Sequence, residues 1–550
     1  MTFDGIWETD NPPSRKWPLY TRGNVGEVFP EVVLPFTWDL IGKAAEDGWR
    51  QAFEKMGLVA DGDFPDDEPM IILGVFGGYC YINASYVRIL GVRAPGGKVE
   101  NIDSMFFGES DAPDHVARDG DRSVRASLRL GRTLLRLLRT SELPALEHDE
   151  AEVDRFVARY PGGDASNAEL MAYCRSFAPL FEHLFSRHID NTFSNALVSG
   201  AMIDLVAGSG HPDLVVSILG GIGDVESAAP SAAMWELSRL DADSDAYRTG
   251  FARFLHEFGS RGPNEWDIGS DPWMFRPEVA TAAIEAMRRA DTGRDPVRLQ
   301  AALASGRAEA VERVRSSLNV VDRYRFDKAL AATIVFSQGR ERSKTTVIRA
   351  IQAVREAQRV MHERAAGDGG AEERWKSCLL DVDDFEAHLD DPAAYRDLID
   401  ERAELHARLT DSVPPFVVDG IVPPLERWDS RATTAERLAV GTTVQGIAGC
   451  PGVARGRARV VMDAGDPGDL GAGDVLVAPI TDPSWTPLFL AVEAVVVDVG
   501  ATMSHAVIVS RELGIPCVVS AVGATRSIPD GAEIEVDGDT GRVTILSHPS

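Results

Sequence analysis

Asp498-Val-Gly-Ala-Thr-Met-Ser-His-Ala-Val-Ile-Val-Ser-Arg-Glu-Leu-Gly-Ile-Pro516 is the stretch on which the reading of this chain turns. Just ahead of it, Ala494 to Val497 is a short valine-rich run, the mark of a buried strand. Gly500 interrupts the run. Ser504 supplies an N-cap, which puts His505 in the first turn of a helix. That helix is apolar at Val507, Ile508 and Leu513 and stops at Gly514, with Pro516 beyond. A second apolar strand follows, Cys517 to Val519. The imidazole therefore sits at a strand-to-helix turn, beside free backbone N–H groups and the positive end of a helix dipole, a place suited to phosphate. A histidine there can be a core residue, a general base, or a nucleophile that carries a phosphoryl group.

Working outward, residues 444 to 550 read as one compact domain. Its strands fall at Asp474 to Ala478, Ala494 to Val497 and Cys517 to Val519, and a closing hairpin runs from Glu533 to Leu546 with turn residues at Asp537 to Gly541. Residues 411 to 443 carry Pro414-Pro415 and Pro423-Pro424 and read as a stiff linker. From about 120 to 410 the chain reads as mostly helical, with Val347, Ile351, Val354 and Met361 on one apolar stripe. Arg125, Arg129, Arg132, Arg136 and Arg139 recur at helical spacing and read as a solvated face. Two polar clusters break the helices. Phe258 to Trp273 is rich in glycine and proline, yet holds Arg261, Glu265, Asp267 and two tryptophans, so it folds over something. Arg340-Glu-Arg-Ser-Lys344 opens the long helix. Its cations either meet an incoming phosphoryl group or belong to a structural ion-pair network. Near the N-terminus, Trp17 to Trp38 has too many prolines for a regular element and reads as an ordered segment lining a surface. It either packs as an arm or contributes Asn24 and Glu27 to a pocket. Trp38, Tyr79, Tyr81, Trp266 and Trp273 suit an apolar ring, or a plain core.

The 550 residues are enough for two to four domains. A formal charge of −29 argues against nucleic acid and against an anionic membrane surface, since both need clustered Lys and Arg. No apolar run reaches membrane-spanning length, and the first residues lack the basic start and apolar core of a signal peptide, so a cytoplasmic protein is expected. Five scattered cysteines without a CxxC indicate neither a disulfide framework nor a zinc site, and no metal ligands are expected.

The pattern Gly-x-x-x-Ser-His-x-x-Ile-Val-x-Arg-Glu-Leu-Gly-Ile-Pro from Gly500 to Pro516 resembles the phosphohistidine motif of the phosphoenolpyruvate-utilising family. Gly446 to Gly456 and Thr481 to Phe489 support the match, while Ala501 and Met503 depart mildly from it. The resemblance implies a multidomain α+β chain. A largely helical acceptor-binding domain (residues 1 to 410) is followed, after the linker, by a swivelling β/β/α phosphohistidine domain. It implies that His505 carries the phosphoryl group and that Ser504, Thr502 and Thr481 hold its oxygens. Arg261, Arg340 and Lys344 would neutralise charge, and Glu265 or Asp267 would orient or deprotonate the acceptor. The family charges its histidine from magnesium and ATP on an ATP-grasp domain. No stretch here resembles one, and no Walker motif or GxGxxG occurs. A separate ATP-grasp subunit is therefore expected, as in the two-protein aryl phosphate synthases that phosphorylate phenol or p-cresol. The alternatives are a split antibiotic phosphotransferase with a bulky polyketide acceptor, and a non-enzymatic phosphocarrier.

Overall fold

The computed structural model describes residues 5–107, 113–223, 229–289, 295–366, 373–431, 437–501 and 504–549. The proline-rich segment near the N-terminus is more regular than its composition predicts. It forms strand β1 (Leu19–Thr21), a short helix α1 (Val25–Val28) and a long helix α2 (Pro35–Met56). The prolines punctuate these elements instead of preventing them, and Pro35 starts α2 where its missing N–H costs nothing. The segment is also not a surface arm, because Trp17, Tyr20, Val32 and Val33 are buried. Strands β2 (Leu73–Phe76) and β3 (Tyr79–Asn83) form a hairpin across Gly77 and Gly78, both at positive φ as a tight two-residue turn requires. The sheet order is β2-β3-β1-β4, where β4 is Val417–Asp419. Part of the expected linker thus returns as an edge strand on β1. The hydroxyls of Tyr79 and Tyr81 hold it there by donating to the carbonyls of Leu409 and Pro415.

Two long helices, α3 (Phe177–Gly208) and α4 (Val320–Ala366), pack along each other. The stripe Val347, Ile351, Val354 and Met361 is fully buried on α4. Helix α4 does not open at Arg340 as the sequence suggests; it begins twenty residues earlier. Gly339 lies mid-helix, where a Cβ would fall 2.3 Å from Leu143 Cδ1. The glycine permits close packing, which outweighs its helix penalty of about 1 kcal/mol. The arginine stripe Arg125 to Arg139 is exposed.

The C-terminal domain is built on an eight-stranded sheet. Its strands in chain order are β5 (Thr443–Gln445), β6 (Ile447–Cys450), β7 (Val453–Val460), β8 (Asp474–Ala478), β9 (Ala494–Val497), β10 (Cys517–Val519), β11 (Glu533–Asp537) and β12 (Arg542–Ser547), arranged β5-β12-β11-β7-β8-β9-β10-β6. Strands β7 to β10 are parallel, and β8 and β9 are buried along their whole length, as continuous apolar runs require. A short helix α5 (Thr486–Phe489) connects β8 to β9, and α6 (His505–Leu513) connects β9 to β10. His505 therefore emerges beyond the carboxyl end of β9, the side of an open parallel sheet where ligands bind. This domain is docked on the helical one. Trp485, Leu488, Phe489 and Val509 share an apolar cluster with Trp235, Phe254, Trp273 and Ile284. Among the described residues no helix is long and apolar enough to cross a membrane.

The loop Phe258 to Trp273 is shaped by two buried arginines. Arg355 on α4 donates to the carbonyls of Glu265 and Asp267, each at 2.9 Å. Arg374 donates to those of Ile268, Gly269 and Ser270. Replacing Arg355 by alanine orphans two buried carbonyls, at about 1–3 kcal/mol each. Arg355→Ala should lower the midpoint of thermal unfolding markedly and Arg355→Lys less so; an unchanged midpoint would show that the loop is held by something else.

Candidate active site

Helix α6 starts as its sequence dictates, with the Ser504 hydroxyl accepting from the Val507 N–H and Gly514 closing the helix at φ 65°. The His505 imidazole is held at both nitrogens by hydroxyls, Nε2 3.0 Å from Thr486 Oγ1 and Nδ1 3.3 Å from Thr481 Oγ1. Its backbone N–H, one of the unpaired donors of the helix N-terminus, donates to Glu27 Oε2 at 2.9 Å. Burial first, then Lys344, Arg261 and Arg340, hold its pKa well below the usual histidine value. The ring is neutral at physiological pH and so nucleophilic.

Beside the ring lies a small ionic lattice. Glu265 is buried, with Arg261 Nε at 2.6 Å from Oε2 and Lys344 Nζ at 2.9 Å from Oε1. Burial raises the Glu265 pKa, but the two cations outweigh it and hold the carboxyl below its usual range. It therefore stays ionised and fixes both cations beside His505. Arg340 sits one turn from Lys344 on α4, with Glu341 at 3.5 Å.

In front of the ring a cavity of about 140 Å³ opens between the two domains. Its polar wall is Asn24, Glu27, His188, Arg340, Glu341, Lys344 and His505; its apolar wall includes Phe29, Trp38, Trp49, Phe181, Phe185, Phe193 and Trp266. Asn24 holds a left-handed φ of 71° at the start of α1, the kind of strain that collects at functional sites. Burial pushes the Glu27 carboxyl up to about 8, opposed by the His505 N–H, Arg340 and Lys344. His188 Nδ1 lies 3.1 Å from Ser343 Oγ, and burial with Arg340 and Lys344 holds that ring down to about 3.

The structure thus gathers His505, Ser504, Thr481, Arg261, Glu265, Arg340, Lys344, Asn24 and Glu27 into one site. Thr502 lies outside the described residues. Asp267 does not line the cavity. Its carboxylate accepts from the Thr37 hydroxyl and the N–H groups of Leu34 and Gly269, so it braces the loop. Trp38 and Trp266 line the cavity, whereas Tyr79 and Tyr81 anchor the returning chain and Trp273 packs on Phe254. Three contributors carry no sequence signal of their own. His188 is one of two histidines on α3 and lies in no motif, Glu341 looks like one more helix charge, and Thr486 is a hydroxyl in a run already marked as relevant.

The Glu27 shift has a signed consequence for stability. The folded pKa of about 8 lies above the ordinary 4.5, so the native state holds a proton between those values that the unfolded chain has lost. Stability from this group falls as pH rises from about 4.5 through about 8. Glu27→Gln should therefore gain on the wild type as pH rises from 5 to 9 in parallel thermal melts. A difference independent of pH would refute the raised value.

Residues 470–541 match the PEP-utilising enzyme mobile domain, and residues 187–341 match the rifampicin phosphotransferase fourth domain. An uncharacterised protein of Mycobacterium tuberculosis (strain ATCC 25618 / H37Rv) is 26% identical over 583 residues, covering 99% of this chain and 63% of its own. The prodigiosin synthesizing transferase of Serratia marcescens is 24% identical over 600 residues, covering 99% of this chain and 65% of its own. A rifampicin phosphotransferase of Streptomyces sviceus is 29% identical over 351 residues, 61% of this chain and 38% of its own. The chain spans less than two thirds of the length of these relatives. With His505 at a helix N-terminus, the chain carries the phosphohistidine-type mobile domain of the PEP-utilising enzymes, preceded by a segment of rifampicin phosphotransferase type.

Proposed function

We propose that this chain passes a phosphoryl group from His505 to the hydroxyl of a small aromatic acceptor of phenol or p-cresol type. A separate ATP-grasp polypeptide loads His505 from ATP and magnesium. The carrying observation is the cavity itself: His505, two cations and a ring of aromatic side chains face the same 140 Å³. An apolar cavity of about 150 Å³ is large enough to hold benzene, so the space suits one substituted ring. It does not suit a polyketide of rifamycin size with the domains docked as they are. The relatives named rifampicin phosphotransferase support phosphoryl transfer, and the size of the cavity favours the smaller acceptor.

The chemistry asks for positioning and charge neutralisation more than for covalent work by other residues. Neutral His505 accepts the phosphoryl group at a ring nitrogen. Thr481, Thr486 and the helix N-terminus offer donors to its oxygens, and Arg340 and Lys344 balance their charge. In the docked state the group faces the aromatic walls, where the acceptor hydroxyl attacks phosphorus. Magnesium is assigned to the partner because the residues here do not fit it. Asp149, Glu152 and His183 form the one described group with ligation spacing; they lie outside the cavity wall, and Arg187 already pairs with Asp149.

Intact mass after mixing the chain with magnesium, ATP and a candidate ATP-grasp partner tests the reading. An acid-labile gain of one phosphoryl group that needs the partner, is absent in His505→Ala and is lost on adding p-cresol is the expected result. A gain that persists with phenols would reject the acceptor. No gain under any of these conditions would reject the carrier role.

A further inference from the structure

We propose that Glu27 is the catalytic residue that takes the proton from the acceptor hydroxyl. This rests on the cavity in front of His505 being the place of transfer. The geometry points to Glu27 by its two oxygens. Oε2 accepts the His505 N–H at 2.9 Å, which fixes the carboxyl beside the phosphoryl carrier. Among the described residues none donates to Oε1, and Glu27 lines the cavity. One oxygen is therefore a tether and the other is available to a ligand. Two other carboxylates are committed: both oxygens of Glu265 are taken by Arg261 and Lys344, and Asp267 is saturated by Thr37 and backbone N–H groups. Glu341 also lines the cavity, with Oε1 3.5 Å from Arg340, but among the described residues nothing ties it to His505.

The proton balance is simple. The acceptor O–H gives its proton to Glu27 Oε1, its oxygen forms the P–O bond, and the P–N bond to His505 breaks. The electron pair of that bond returns to the imidazole nitrogen, leaving His505 neutral and Glu27 a carboxylic acid. A phenol has a pKa near 10, and a base is more effective as its own pKa approaches the operating pH. Burial lifts Glu27 toward that range, whereas Glu265 is held in the opposite direction. The groups that face Glu27 are the His505 N–H on α6, Asp482 ahead of α5, Arg340 and Lys344 on α4, with Glu341 and His188 across the cavity. The cations keep part of the carboxyl ionised near neutral pH, and Asp482 opposes them.

The test uses phosphoramidate to load His505 chemically, with His505→Ala as the blank for other histidines. Transfer is then timed to p-cresol, which brings a proton, and to 4-nitrophenol at a pH where it is already the phenolate. Glu27→Gln should slow transfer to p-cresol by about 10² to 10⁴-fold, the usual worth of a positioned base. It should leave transfer to 4-nitrophenolate little changed and the extent of loading equal. Glu27→Asp should restore part of the p-cresol rate. Equal losses with both phenols, or no loss with either, would overturn the proposal. So would a loss confined to p-cresol in Glu341→Gln and absent in Glu27→Gln. If the wild type passes the group to neither phenol, the aromatic acceptor is wrong. Loss of the phosphoryl group to water then decides the role of Glu27: a slowing by Glu27→Gln supports it, and an unchanged rate overturns it.

Discussion

A carboxylate out of water between two cations sets the geometry of this molecule. Glu265 cannot be buried alone; its desolvation is offset because Arg261 and Lys344 both reach it within 3 Å. The pair in turn holds two cations where solvation would otherwise draw them away. Burial first, and then those cations, keep the His505 ring neutral. Removing Glu265 would free the cations to move, so this anion organises the cations beside His505. The loop that bears it is in turn built into the protein from behind, by Arg355 and Arg374 clasping its carbonyls.

The docking of the two domains follows the same economy of unpaired groups. A helix begins with N–H groups that have no partner, and α6 begins at His505. In the docked arrangement one of them is satisfied by Glu27 from the other domain. A second contact of this kind joins the Asn264 N–H to Asp482. These polar contacts are few, and the larger part of the interface is the apolar cluster around Trp273, Trp485 and Phe489. A carboxyl group already rests on the N-terminus of α6, at an N–H that a phosphoryl group on His505 would also attract.

Much of the C-terminal domain was legible along the chain because its signals are local. Buried parallel strands must be continuous apolar runs, and Asp474–Ala478, Ala494–Val497 and Cys517–Val519 fall where such runs occur. The cap at Ser504 and the stop at Gly514 are set by single residues whose backbone chemistry is independent of the fold. The N-terminal half was harder to read. Prolines between Trp17 and Trp38 hid a strand and two helices, and the helix that Arg340 was expected to open starts at Val320. In both cases tertiary packing overrides the local preference.

The sequence by itself determined that a histidine with phosphocarrier surroundings stands at the start of a helix, and that Arg261, Glu265, Arg340 and Lys344 are chemically unusual within their segments. Those facts depend on neighbours a few residues away. Only the tertiary structure decided that residues 27, 188, 265, 344 and 505 meet, that Asp267 turns into the loop it braces, and that Tyr79 and Tyr81 serve the returning strand and not the cavity. The physical reason is separation along the chain. Glu27 and His505 are 478 residues apart, and a contact of that span leaves no periodicity, cap or turn signal in either stretch. It exists because apolar burial brings two domains together, and the polar groups at their boundary then have to find one another.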